Sequence, residues 1–278
     1  MLRSTRVRIG AALATIAMVA TAVTPAIAAA TTLHIDGSTT LQPLAQTWAA
    51  VYKAKYHWSI TVAGGGSGKG VTDAENGVVD IGMSSAVKKS TDPADLHFTP
   101  VARDALVIVV NPKNAVYKIT QAQVKQIFSG QITNWRQLSS SYPSHSIDLV
   151  GRTGSSGTYS YFKSSMMSGA KQSSRTRTYA SNGMVRAAVA GDRFAIGYLA
   201  MAYRNSTVKA LNMPHVPGAT AGFVVPTKNT ALNGSYPYVR DLYFVTKGSP
   251  AGNAKTFINW CLSSTGQAYT KTDYLPLH

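Results

Sequence analysis

Three times this sequence runs from a short β-type segment through a loop of glycine, serine and threonine into a helical pattern. Thr32 to Asp36 leads into Gly37-Ser38-Thr39-Thr40, after which Leu41, Leu44, Ala45, Trp48, Val51 and Tyr52 recur on one helical face. Ser59 to Val62 leads into GGGSGKG, Gly64 to Gly70, and a short helix that stops near Asn76-Gly77, a C-terminal cap signal. Ile147 to Val150 leads into GRTGSSGT, Gly151 to Thr158, and Tyr159, Phe162 and Met166 share the next helical face. Strands that alternate with helices in this way predict an α/β chain.

Such junctions aim unpaired backbone N–H groups and the positive end of a helix dipole at one place, where an anion is stabilised. Serine and threonine add donors without bulk, and glycine lets the backbone approach a ligand closely. Taken singly, each loop reads equally well as an ordinary helix cap or turn. Three together point to an oxyanion site, with Arg152 as a two-pronged donor matched to two oxygens of a tetrahedral anion.

The charge balance agrees. The chain of 278 residues carries 27 Lys+Arg against 11 Asp+Glu, a net +16. Arg3, Arg6 and Arg8 precede an apolar run from Ile9 to Val23, with small residues for cleavage at Ala26-Ile27-Ala28 or Ala28-Ala29-Ala30. Residues 1–30 therefore read as a secretory signal peptide, and the protein is expected to be exported and soluble outside the membrane. Without those three arginines, 24 basic residues still face 11 acidic ones, a balance of +13 that draws anions. The basic residues are scattered rather than gathered in runs, so no nucleic-acid partner is indicated. No cysteine stands at the cleavage site, so no lipid anchor is expected. Cys261, the only cysteine, permits no internal disulfide and is expected to be a buried apolar residue.

Catalytic motifs fail on spacing. A P-loop reading around Lys69 has Ala63 where its first glycine belongs and Gly70 where its Ser/Thr belongs. Gly154-Ser155-Ser156-Gly157-Thr158 ends in threonine where a hydrolase elbow needs glycine. The six histidines form no H-x-x-x-H or Cys/His pair, and the acids are dispersed. No catalytic residue, metal or cofactor is expected.

GSTTLQP, GGGSGKGV, VVDIGMSS, IFSGQITNW, GRTGSSGT, AIGYLAMAY, GSYPYVRDLYFVTKG and the closing YLPL stand in this order over nearly all of the chain after residue 30. Together they resemble the phosphate-binding proteins of phosphate ABC transporters (PstS-like). The resemblance implies the two-domain type II periplasmic-binding-protein fold, with a ligand cleft between the domains and a two-segment hinge. It implies a first domain of residues 31–109 and 224–278 and a second of 110–223. The crossings would fall near Val109-Val110-Asn111-Pro112 and Phe223-Val224-Val225-Pro226. It further implies inorganic phosphate as ligand, a membrane-embedded ABC permease as partner, and a monomer that closes on its ligand.

Carried over residue by residue, the ligand set is Ser38, Thr39 and Thr40 from the first loop, Ser67 from the second, and Arg152, Ser156, Gly157 and Thr158 from the third. Ser155 stands where a glycine is common. A larger departure follows Asp80-Ile81-Gly82: one branch of the family has an aspartate where this chain has Ser85, another an arginine where it has Ala86. Ser85 is retained as a ligand candidate, since its hydroxyl can still accept a proton. A carboxylate would repel fully deprotonated sulfate, so its absence makes selectivity for phosphate over sulfate an open question. Asp36 is a possible substitute acceptor, read as more simply a strand-end carboxylate facing solvent. Asp80 reads as a brace of its turn, and Lys88 and Lys89 as a solvated pair. Two alternatives accompany the transport reading: a cationic surface protein held on anionic cell-wall polymers, and a less selective oxyanion receptor.

Overall fold

The structure, a computed structural model, describes residue 1 and residues 31–277. The segment read as a signal peptide lies outside the described residues, apart from Met1. Three parallel strands open the first lobe: β1 (Thr32–Gly37), β2 (Ser59–Val62) and β3 (Ile81–Ser84), joined by helices α1 (Gln42–Tyr56) and α2 (Ser67–Glu75). In α1, Pro43 sits in the first turn, where its missing N–H costs nothing. The helix buries Leu44, Ala45, Trp48, Ala49 and Tyr52, the expected face with Val51 left half-buried, and ends at His57 in the left-handed region.

Strand β4 (Leu96–Val110) then carries the chain into the second lobe. There α3 (Gln121–Phe128), β5 (Asp148–Arg152), α4 (Gly157–Ser165), β6 (Arg177–Tyr179), α5 (Asn182–Ala190) and β7 (Ala195–Ala200) follow. Short strands β8 (Lys209–Ala210), β9 (Met213–Pro214) and β10 (Phe223–Val224) and helix α6 (Lys228–Leu232) precede the return. Strand β11 (Val239–Lys247) re-enters the first lobe, which α7 (Gly252–Leu262) and α8 (Ser264–Ala268) complete.

The main sheet has the order β2-β1-β3-β11-β4-β7-β5-β6, with β8 beside β4. In each lobe the first parallel strand lies between the next two: β2-β1-β3 in one, β6-β5-β7 in the other. The winding direction therefore reverses at the carboxyl end of β1 and again at that of β5, and such switch points open crevices for ligands. Two of the three glycine-hydroxyl loops begin at these ends, and the third follows the adjacent strand β2.

Two hydrophobic cores flank the crossing. Leu33, Trp48, Val101, Ala102, Phe244 and Phe257 belong to the first, and Leu106 to Val110, Phe128, Phe162, Tyr198, Tyr236 and Tyr238 to the second. Strand β4 pairs with β11 through Ala105 and with β7 from Leu106 onward. The chain thus changes lobes at Ala105–Leu106 and at Tyr238–Val239, upstream and downstream respectively of the crossings expected from the proline positions. Cys261 is buried in the first core, as the sequence suggested. Among the described residues, no helix is long and apolar enough to cross a membrane.

Candidate functional site

The loops after β1, β2 and β5 meet where the lobes touch. Gly37 turns the first of them at φ +124°, and a Cβ there would lie 2.5 Å from the Met83 carbonyl oxygen and 2.7 Å from Gly70 Cα, so only glycine lets these segments close together. Ser38 Oγ accepts from the Thr40 amide at 3.2 Å, and Ser156, the N-cap of α4, accepts from the Thr158 and Tyr159 amides. Ser156 thus caps α4 and Ser38 closes the turn ahead of α1, while both stand in the candidate ligand set. All nine candidates, Ser38, Thr39, Thr40, Ser67, Ser85, Arg152, Ser156, Gly157 and Thr158, are buried.

Contacts across the cleft tie them together. Thr40 Oγ1 lies 3.0 Å from Thr158 Oγ1, the Gly68 amide donates to the Ser155 carbonyl at 2.9 Å, and Arg152 Nη2 donates to Thr39 Oγ1 at 3.1 Å. Ser67 Oγ accepts from the Ser85 amide at 3.0 Å and lies 3.3 Å from the Ser85 hydroxyl.

Arg152 is 1% exposed. Its Nε donates to the Tyr179 carbonyl at 3.1 Å and its Nη2 to the Ala180 carbonyl at 2.8 Å, while the Tyr198 hydroxyl accepts from its amide at 3.0 Å. Its Nη1 is buried with no partner. Among the described residues its guanidinium pairs with no carboxylate. Burial pulls its pKa down to about 10, and it remains a cation at neutral pH. A buried, uncompensated charge costs several kcal/mol, so this side chain is arranged for an anion that it does not find in the protein.

Sequence reasoning missed a second arginine. Arg240 on β11 is 6% exposed and stands in register with Asp104 on β4, their side chains paired at 3.2 Å. Its Nη1 donates to the carbonyls of Ser85 (3.1 Å) and Gly157 (3.2 Å), and its Nη2 to Thr158 Oγ1 (3.0 Å) and Thr40 Oγ1 (3.4 Å). Asn182 was also missed: its Nδ2 donates to Thr40 Oγ1 at 2.9 Å. The strand alternation carried the signal for Arg240, since it shares a buried phase with Tyr238, Leu242 and Phe244.

The carboxylates near the cleft are engaged elsewhere. Asp36 is buried rather than facing solvent, because α2 folds back over β1 and brings Lys69 onto both Asp36 and Asp73. Asp80 accepts from the His34 amide at 2.7 Å, so it braces the neighbouring strand β1 rather than its own turn. Lys88 is not free: it donates to the carbonyls of Ala94 and Leu96, while Lys89 is exposed. At the cleft mouth, cavities of about 190 and about 620 Å³ both reach Ala86, whose small side chain leaves this wall open.

The Lys69 cluster gives a pH-dependent prediction. Burial raises the Asp36 pKa above its ordinary 3.8, and Lys69 opposes that rise. Lys69→Met leaves Asp36 beside Asp73, which raises it further. An acid whose folded pKa exceeds its unfolded one loses stability as pH rises through that window. The variant should therefore lose about 1–2 kcal/mol at pH 7, a figure discounted because Lys69 is half-exposed. The deficit should shrink towards pH 4. Urea melts at both pH values check it, and equal deficits would contradict the assignment.

A two-lobed α/β protein with switch points facing one another across a polar cleft is a substrate-binding protein of the type II fold. A profile of the PBP superfamily domain matches residues 22–265, and the chain belongs to that superfamily and, within it, to the PstS-type phosphate-binding proteins. The Bacillus subtilis phosphate-binding protein PstS is 32% identical over 252 residues, covering 88% of this chain and 80% of that protein. Protein SphX of Synechococcus elongatus is 30% identical over 259 residues, covering 87% and 76%. Among solved structures, a Clostridium perfringens protein assigned to phosphate ABC transport, with phosphate bound, superposes with a TM-score of 0.81. It is 29% identical, with 89% of this chain and all of that one covered. An ABC-type phosphate transport receptor from Vibrio cholerae gives a TM-score of 0.70 at 27% identity, covering 87% and 99%. This is a family of transport receptors and not of enzymes.

Proposed function

We propose that this chain is an exported, non-catalytic receptor that captures inorganic phosphate and delivers it to an ABC permease, working as a monomer. The observation that carries this reading is Arg152, buried and lacking a carboxylate, with Nη1 unpartnered and Nη2 on the Thr39 hydroxyl of the facing loop. An oxyanion supplies the missing countercharge and takes the free N–H. The Thr39, Thr40 and Thr158 hydroxyls and the loop amides surround it as the lobes bend about the crossings in β4 and before β11. The net positive charge steers anions to the cleft.

A second reading, a receptor for both phosphate and sulfate, is supported by Ser85 and Ala86 and by the engagement of Asp36 with Lys69 and Asp104 with Arg240. The excess of basic residues also supports retention on anionic wall polymers, a contact that high salt would release.

Thermal melts test the receptor reading. Phosphate at about a hundred times its Kd should stabilise the protein by roughly 2.7 kcal/mol. No rise in Tm with phosphate would refute it.

A further inference from the structure

The hydroxyls at the cleft have a polarity, and Arg240 sets it. A threonine oxygen has two lone pairs and one proton. Thr40 Oγ1 receives Asn182 Nδ2 at 2.9 Å and Arg240 Nη2 at 3.4 Å, so its acceptor capacity is filled and its proton must be donated. In the described structure that proton has Thr158 Oγ1 as its acceptor at 3.0 Å. Thr158 Oγ1 then receives both that proton and Arg240 Nη2 at 3.0 Å, so its own proton is left to point into the cleft.

We infer that Arg240, anchored by Asp104, is a positioning residue for the oxyanion: its contacts with Thr40 and Thr158 set the direction of the hydroxyl chain, so that Thr40 donates to Thr158 and the Thr158 proton is left for the anion, and by the same contacts it joins the two lobes. The inference rests on the receptor reading above.

The placement supports both halves of this. Arg240 and Asp104 are register partners on the two strands that run between the lobes, one residue from each changeover. The Arg240 guanidinium reaches Thr40 and the Ser85 carbonyl on one side of the cleft and Thr158 and the Gly157 carbonyl on the other. Five acceptors share the four N–H groups of Nη1 and Nη2, Nε being buried without a partner, and four of the five come from the two sides of the cleft, a geometry that a lysine ammonium with three donors cannot reproduce. Asp104 keeps the group from acting as a free second cation, and Arg152 keeps the unpaired charge. The orientation of the hydroxyl protons is fixed before the ligand arrives, which lowers the reorganisation that binding requires.

A double-mutant cycle on the full exported chain tests this, with phosphate titrated into wild type, Thr158→Val, Arg240→Gln and the double variant, and ligand-free melts run alongside. Arg240→Gln should weaken phosphate binding by roughly 10- to 100-fold, the span of one hydrogen bond to a charged group. If Arg240 acts through the hydroxyl, the double variant should lose much less than the product of the single losses. A purely structural role would lower the melting temperature and leave the losses multiplicative. Arg240→Lys, which retains the charge opposite Asp104, gives the same cycle if the glutamine variant fails to fold. Unchanged affinity in the Arg240 variants, or multiplicative losses, would overturn the inference while leaving the receptor reading intact. A wild-type protein that binds no oxyanion would overturn both.

Discussion

Replacing Arg152 with methionine should severely weaken phosphate binding while leaving the ligand-free protein as stable as wild type or more so. The two effects have opposite signs because one side chain serves two states. With the anion present, the guanidinium contributes charge-assisted hydrogen bonds worth roughly 1.5–3 kcal/mol each, so losing two weakens binding on the order of 10²- to 10⁴-fold. Without the anion it is 1% exposed, has no carboxylate partner, and carries an unpaired Nη1. Burial has already pulled its pKa down to about 10, a direct sign that its charged form is disfavoured where it sits. Methionine fills similar space without the charge, and the cost recovered offsets the lost bonds to the Tyr179 and Ala180 carbonyls. Paired calorimetric titrations and thermal melts measure both effects. A variant that melts far below wild type without ligand would make Arg152 a structural residue rather than a binding one.

Gly157→Ala should hold the lobes apart. Gly157 opens α4, where alanine is well tolerated, and its backbone does not occupy the left-handed region. The nearest atoms a Cβ there would meet belong to the other lobe. That Cβ would fall 2.6 Å from Ser85 Oγ and 2.8 Å from the Ser85 carbonyl carbon, and would also strike Ser67 Oγ, all on the opposite side of the cleft. Ser67 Oγ can rotate away, but the Ser85 backbone cannot without moving β3. Overpacking of this kind costs roughly 1–3 kcal/mol, and here only the closed form bears it. Since apparent affinity scales with the closed population, phosphate binding should weaken about 10- to 100-fold. The compaction seen by small-angle scattering on adding phosphate should shrink. Wild-type affinity in this variant would mean that the lobes do not approach through Gly157.

Much of this arrangement was legible because local rules govern it. The three junctions were readable since strand period, glycine placement and helical face are short-range features, and β1, β2 and β5 begin and end within a residue or two of the expected places. The crossings were not. Pro112 lies in a turn and Pro226 in the irregular stretch before α6, both within the second lobe, whereas the changeover at Ala105 lies inside one unbroken strand. There only the partner changes, from β11 to β7, and nothing in the local sequence records it.

Asp104 and Arg240 were overlooked for a related reason. Each is a charge within an apolar strand, and what makes them one unit is register across residues far apart in sequence. Alternation did place Arg240 on a buried face; only the fold supplies its partner. Asp36 shows the converse. Read alone it is a strand-end carboxylate, and its burial follows from Lys69 arriving with α2.

Calorimetric titration of the purified, phosphate-free protein with inorganic phosphate at neutral pH tests the central claim most directly. The account predicts saturable binding at one phosphate per chain; sulfate competing for the same place would favour the second, less selective reading. No heat with either anion, under conditions where the protein melts cooperatively, would contradict it.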